Sequence, residues 1–446
     1  MAVSKRKGIW GWMFFDWANQ PFHTLIITFI FAPYFADFVA ASPEEGQAIW
    51  GFALAVGGLM IAVAAPFLGA VADASGPRRP WIIGFSVLYV TGMGGLWMAV
   101  PGADNLTLIL IFFVIGLIGA EFALVFVNSL LPLLGTRDEL GRISGSAWAM
   151  GYWGGLTSLI IVLTLMVPAP GSTNTLIGIA PIFGLDPELG EGARATGPMS
   201  AIWYVVFMIP FFLWSPDAPR NSAVGGAVAK GLRELYQTIV TLPRQRSLFA
   251  YLGSSMFYRD ALNGLYAFGG IYAAGVLGWG TFQLGIFGII AAFAGAVGAW
   301  LGGRADERFG PKPVIIGAIW ALIAVSALTV STGPNEVLFV AVGAADAPSG
   351  LPSLVFYICG AVIGAAGGSL QSASRTMLVR QADPAKMTEA FGIYALAGRA
   401  TSFLAPFLIA TVTLASESQR IGVTPVIALF LIGLIFLIWV RADGRA

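Results

Sequence analysis

Apolar residues fall in twelve long runs along this 446-residue chain, at about 10–40, 48–72, 81–100, 106–134, 142–167, 199–215, 247–274, 281–303, 312–332, 353–380, 388–414 and 421–441. A helix rises 1.5 Å per residue, so roughly 20 apolar residues cross a hydrocarbon core of about 30 Å, and each run predicts one membrane-spanning helix. The runs are continuous, whereas a membrane β-barrel needs segments of about ten residues that alternate apolar and polar. Gly and Pro within several runs suit helices that pack closely in lipid, where neighbours re-satisfy freed backbone groups. The first run follows Lys5, Arg6 and Lys7, as in a secretory leader. It is too long for one, carries Asp16 and His23 and lacks a small-residue cleavage site, so it reads as the first membrane helix.

Composition supports the pattern. Hydrophobic residues make up 57% and charged residues 11% of the chain, where a soluble domain carries about 25% charged residues. So few charges cannot clothe a water-facing surface. The expected fold class is an all-α integral membrane protein of twelve helices in two six-helix bundles, residues 1–215 and 247–446, with 216–246 as a cytoplasmic joint. A formal net charge of +1 argues against a nucleic-acid partner, which requires a basic surface. The single cysteine, Cys359, sits in an apolar run, so no intramolecular disulfide is expected.

The placement of the charges says more. With the N-terminus inside, the inner segments collect Lys5, Arg6, Lys7, Arg78, Arg79, Arg137, Arg142, Arg220, Lys230, Arg233, Arg244, Arg246 and further basic residues through Arg445, while the outer segments hold only Arg194 and Arg420. This bias predicts both termini in the cytoplasm, with a bacterial inner membrane as the setting and a monomer as the unit.

Three landmarks recur in both halves in the same order, the mark of a repeat-built transporter. Asp16-Trp-Ala-Asn19 matches Asp260-Ala-Leu-Asn263. The segment Gly69-Ala-Val-Ala-Asp73-Ala-Ser-Gly76-Pro-Arg78-Arg79 matches Gly302-Gly-Arg-Ala-Asp306-Glu-Arg-Phe-Gly310-Pro-Lys312. Gly141-Arg-Ile-Ser-Gly145 has a weaker counterpart in Thr388-Glu-Ala-Phe-Gly392. In the two loops, Gly76 and Gly310 allow tight turns, and Asp73 is suited to accept hydrogen bonds from the amino end of a neighbouring helix. Arg78, Arg79 and Lys312 either anchor the inside of the membrane or lock an inner gate.

The loop after the second helix resembles the signature of the major facilitator superfamily. A closer resemblance, to the autophagy-related vacuolar effluxer family, lies in Gly11-Trp12-Met-Phe-Phe-Asp16-Trp17-Ala18-Asn19, in Gly368-Ser-Leu-Gln371-Ser-Ala-Ser374-Arg375 and in Phe391-Gly-Ile-Tyr394-Ala-Leu-Ala-Gly398-Arg399. It implies the major facilitator fold, with helices one, four, seven and ten lining a central cavity, and export of amino acids as in the fungal member. Arg399 departs from the lysine expected there, with the charge kept.

Charges at mid-membrane cost at least about 2.5 kcal/mol unless paired or hydrated, so they mark candidate function. Asp16, Asn19 and His23 share one helix face, although His23 also reads as a packing histidine. Asp260 and Asn263 repeat the first two. Glu121, with Asn128 two turns on, is the leading proton-coupling candidate. Arg375, with Gln371 one turn before, is suited to grip a carboxylate with two hydrogen bonds. Permanent pairing of Arg375 with Asp16 or Glu121 is the alternative. Trp12, Trp17, Trp148 and Tyr394 offer rings for stacking, and Tyr394 and Trp148 stand near the glycine-rich helix openings.

Three function classes compete. A secondary transporter of a small solute, with an amino acid and protons as partners, fits the repeat and the sparse internal charges. A lipid or lysolipid flippase, or an exporter of drugs or other metabolites, fits the same fold. An enzyme lacks material: one histidine, one cysteine, no H-E-x-x-H and no G-x-S-x-G. No cofactor, metal or nucleotide-binding loop is expected.

Overall fold

The computed structural model describes residues 4–219, 226–342 and 350–444. Arg220, Arg445 and positions 220–225 of the expected joint lie outside the described residues. Twelve long helices follow in order: α1 (Lys5–Val39), α2 (Pro43–Ser75), α3 (Arg79–Met98), α4 (Leu106–Leu133), α5 (Leu140–Leu165), α6 (Glu191–Trp214), α7 (Arg246–Gly275), α8 (Gln283–Phe309), α9 (Pro311–Val330), α10 (Leu351–Gln381), α11 (Pro384–Ser416) and α12 (Gln419–Leu437). Among the described residues, eleven are long and apolar enough to cross a membrane. The exception, α7, has the length at 30 residues, but Ser254, Ser255, Arg259, Asp260 and Asn263 dilute its apolar content. A shorter helix, Ala227–Thr241, precedes it.

The chain divides into two compact units, residues 1–134 with 150–232, and residues 135–149 with 233–446. The opening turns of α5 therefore belong to the second unit and its remainder to the first.

In the first unit α1 packs on α6, α3 on α4 and α6, and α2 on α4. Helices in lipid gain no hydrophobic drive from meeting, so they associate where small residues let backbones approach. A Cβ on Gly92 of α3 would lie 2.3 Å from the Gly116 nitrogen of α4. Trp17 of α1 stacks on Trp203 of α6 at 5.7 Å, and the Trp203 indole donates to the Trp17 carbonyl at 3.1 Å. Phe52, Leu59 and Val63 of α2 are exposed, an outward apolar face suited to acyl chains.

In the second unit α8 and α10 make the closest crossing. A Cβ on Gly364 would lie 2.0 Å from the Ala291 carbonyl, and one on Gly298 would lie 2.3 Å from the Ala365 carbonyl. Backbone cannot retreat as a flexible side chain can, so Gly364→Val is expected to abolish the monodisperse protein recovered in detergent. Gly317→Val, at a helical glycine with nothing within 4 Å, should leave that yield unchanged. Equal recovery of the two variants would contradict this packing.

Irregular turns in α1 and α11 fall beside candidate residues. In α1, Pro21 is followed by wide π-type turns over Phe22–Phe29, and His23 lies in the first of them. In α11, a turn at 401–403 separates Met387–Ala400 from Leu404–Ser416.

Candidate functional site

The acids expected for coupling lie in the first unit. Trp12 of α1 donates its indole N–H to the Val127 carbonyl of α4 at 2.8 Å. Ten residues on, Phe22 stacks on Phe113 of α4 at 6.4 Å. These two ties run antiparallel, and between them Asp16 falls at the level of Glu121. Both acids are half-buried, and Asp16 lies against α5, where a Cβ on Gly151 would sit 3.5 Å from its own Cβ. Asn19 and Asn128 are buried, and the Oδ1 of each has no hydrogen-bond partner among the described residues. A buried amide oxygen without a donor costs about 1–3 kcal/mol. His23 is half-buried, and its carbonyl accepts from Thr28 at 2.8 Å.

The second unit gathers a cluster of tyrosines and arginines. Arg375 of α10, 4% exposed, holds its guanidinium 5.4 Å from the ring of Trp148, which the opening of α5 contributes to this unit. Beside it, Ser374 takes two tyrosines of α7: Tyr251 donates to its carbonyl at 2.5 Å, and the Tyr258 and Ser374 hydroxyls are 2.8 Å apart. Tyr251 stacks on Tyr394 of α11 at 6.2 Å. Arg259 lies 4.2 Å from the centre of the Tyr394 ring and donates to its carbonyl at 3.1 Å. The cluster thus joins Arg375 and Tyr394, both read from the sequence, through Tyr251, Tyr258, Ser374 and Arg259. Gln371, one turn before Arg375, is half-buried.

Asp260 and Asn263 part company. Asn263 is exposed, whereas Asp260 is 1% exposed and accepts the Ala405 N–H at 2.8 Å. Ala405 begins the second segment of α11, so Asp260 caps backbone donors that the interruption frees. Its other oxygen, Oδ1, has no hydrogen-bond partner among the described residues. Asp260→Asn keeps an oxygen for the cap and removes the charge, while Asp260→Ala removes both. A purely capping role predicts that Asn preserves the melting temperature and Ala loses about 1–2 kcal/mol. A coupling role adds that the Asn variant, though as stable, fails in gradient-driven uptake.

The two repeated loops are built alike and connected differently. Gly76 and Gly310 end α2 and α8 at φ 105° and 81°, where a side chain is strained. In the first loop Asp73 pairs with Arg78. The backbone N–H groups of Arg78 and Arg79 donate to Asp217 at 2.8 and 3.2 Å, and Arg79 donates to the Ser215 carbonyl at 2.7 Å. In the second loop Asp306 accepts from Thr376 of α10, and Lys312 donates to the Val440 carbonyl at 2.7 Å. Gly141, in the first turn of α5, leaves no room for a side chain: its Cβ would lie 2.6 Å from the Asp306 Cγ. The amino end of α5 is thus packed on Asp306. Gly69 is buried in α2, two turns before the turn glycine.

Tyr251, Tyr258 and Ser215–Asp217 were not among the residues singled out from the sequence. Tyrosines in membrane helices carry no distinguishing signal, and Asp217 reads as an ordinary loop acid.

Helices of this number and order, with two glycine-turned loops of one pattern, define the major facilitator fold. The solved structures agree. The major facilitator superfamily transporter FucP in the outward conformation matches with a TM-score of 0.71 at 15% identity, covering 99% of each chain. The proton:xylose symporter XylE bound to 6-bromo-6-deoxy-D-glucose matches at 0.67 and 15% identity, covering 97% of this chain and 94% of its own. A curated relative, the uncharacterized MFS-type transporter YxiO of Bacillus subtilis (strain 168), is 23% identical over 437 residues, 97% of this chain and 94% of its own length. The family described as vacuole effluxer Atg22 like matches residues 44–445. The chain belongs to that family.

Proposed function

We propose that the protein is a proton-coupled secondary active transporter that moves a small carboxylate-bearing solute, an amino acid, across the membrane by alternating access. The observation that carries this reading is the buried Arg375, held beside Trp148 in a cluster rich in tyrosine. A guanidinium grips a carboxylate through two parallel hydrogen bonds, and aromatic faces accommodate the aliphatic or ammonium part of the same molecule. Asp16 and Glu121 are the proton-coupling groups, with Asn19, His23 and Asn128 arranged around them. Asp260 and Asn263 are their counterparts in the second half. Residues 1–215 and 247–446 act as the two bundles, and the loops at Asp73 and Asp306 hold the inner gate. The solved neighbour XylE is by its name a proton:xylose symporter, which supports proton coupling on this fold, whereas the arginine cluster favours an acid over a sugar.

The test is a solute panel on purified protein in liposomes, with and without an inward proton gradient. Saturable uptake of one or more amino acids that collapses with the gradient is expected. Uptake that ignores the gradient removes the coupling, and uptake only of neutral solutes removes the substrate class.

A second reading, lipid handling, rests on an apolar groove of about 470 Å³ between α3 and α6. Ile83, Val87, Val205 and Ile209 line it, with the Ser86 and Tyr204 hydroxyls 3.0 Å apart among its walls. Scrambling of fluorescent lipid in the same liposomes without amino-acid flux would favour it.

A further inference from the structure

The end of the helix Ala227–Thr241 and the chain leading into α7 have no part in the transport reading, yet their surface is unusual. Tyr236, Ile239 and Val240 are 69%, 54% and 52% exposed. At 100° per residue these three share one face. A different face is seated, since the Thr238 hydroxyl accepts from Lys386 at the start of α11 at 3.0 Å. Arg233, Arg244 and Arg246 are all exposed around this apolar strip. Between positions 226 and 250 the chain carries four cations, Lys230, Arg233, Arg244 and Arg246, against one acid, Glu234.

An exposed apolar strip edged by basic residues is the pattern of a helix lying in the boundary between headgroups and acyl chains. Position on the chain identifies the occupant. The segment runs directly into α7, which the sequence reads as a membrane span, and Phe249 in its first turn is 49% exposed. Water alone would leave such a strip uncovered, and an acidic soluble partner would not match its continuity with a membrane helix.

We propose that residues 233–249 form a binding site for anionic phospholipid, at the membrane face where the chain's basic residues collect. Arg233, Arg244 and Arg246 take the phosphate-bearing headgroups, and Tyr236, Ile239 and Val240 sit at the acyl boundary. Planar guanidinium groups pair with phosphate oxygens through two hydrogen bonds, and each cation near an anionic surface adds about fivefold to binding.

The test is hydrogen exchange of the full-length protein in nanodiscs of phosphatidylcholine alone or mixed with phosphatidylglycerol. Amides of residues 233–249 should exchange at least about tenfold more slowly with phosphatidylglycerol, and added salt should reverse the slowing. The triple variant Arg233→Gln, Arg244→Gln, Arg246→Gln should lose the difference, while unchanged exchange in α9 reports that it is folded. The corresponding triple lysine variant should keep most of it. Equal exchange in the two lipids, retention of the difference in the glutamine variant, or the same slowing by inorganic phosphate in phosphatidylcholine discs would overturn the proposal.

Discussion

Arg375→Gln is expected to weaken binding of the transported carboxylate by about ten- to a hundredfold, because a hydrogen bond to a charged group is worth roughly 1.5–3 kcal/mol. Arg375 is 4% exposed and stands beside Trp148, so water cannot readily replace the lost donor. Arg375→Lys keeps the charge but not the paired geometry and should fall between wild type and Gln. Affinity is read by calorimetry or ligand competition with whichever solute the liposome panel yields. Thermal unfolding separates this role from a permanent ion pair. Removing one partner of a buried pair strands the other charge and destabilises by about 3–5 kcal/mol, whereas an anchor for a transient ligand can be neutralised at smaller cost. Unchanged affinity together with a large fall in melting temperature would assign Arg375 to the structure instead.

The second large effect concerns the acids of the first unit. Asp16→Asn and Glu121→Gln are each expected to abolish accumulation against a gradient while leaving exchange of labelled for unlabelled solute running. Exchange needs only the loaded carrier to reorient, but accumulation needs a group that binds and releases a proton in each cycle. The ties from Trp12 to Val127 and from Phe22 to Phe113 set the two acids at one level; if both serve one coupling step, their effects should not be additive. If the double variant loses the product of the two single losses in a residual-rate measurement, the acids work independently. If wild type and both variants accumulate equally, neither couples.

Much of the architecture was legible because membrane helices announce themselves by length. Eleven of the twelve expected spans satisfy both length and apolarity, and α7 was recognisable despite Arg259 and Asp260 because apolar residues flank them. The turn glycines Gly76 and Gly310 were readable from spacing, since few other residues tolerate their φ. Partners were not readable. The break in α11 falls just before Pro406, which offers no N–H to the carbonyl four residues back, but the sequence does not say which side chain meets the freed donor of Ala405. Half-buried Arg259 takes the ring and carbonyl of Tyr394 as its partners, a contact that no spacing along the chain announces.

The unequal wiring of the two repeated loops bears on how the chain tolerates inheritance. A duplicated segment starts with identical constraints, and divergence then redistributes them. Here one copy settles its aspartate on an arginine five residues away, and the other on a threonine seventy residues away with a glycine of α5 pressed against it. A swap of the two loops between halves would therefore carry over each turn and the pair of Asp73 with Arg78, but not the contact of Asp306 with Thr376. Gly141 should accept no other residue in a saturation library, whereas position 388, which aligns with Gly141 across the halves, already holds a threonine. Symmetry of pattern in this chain is a record of descent, and its substitution tolerance follows the present contacts.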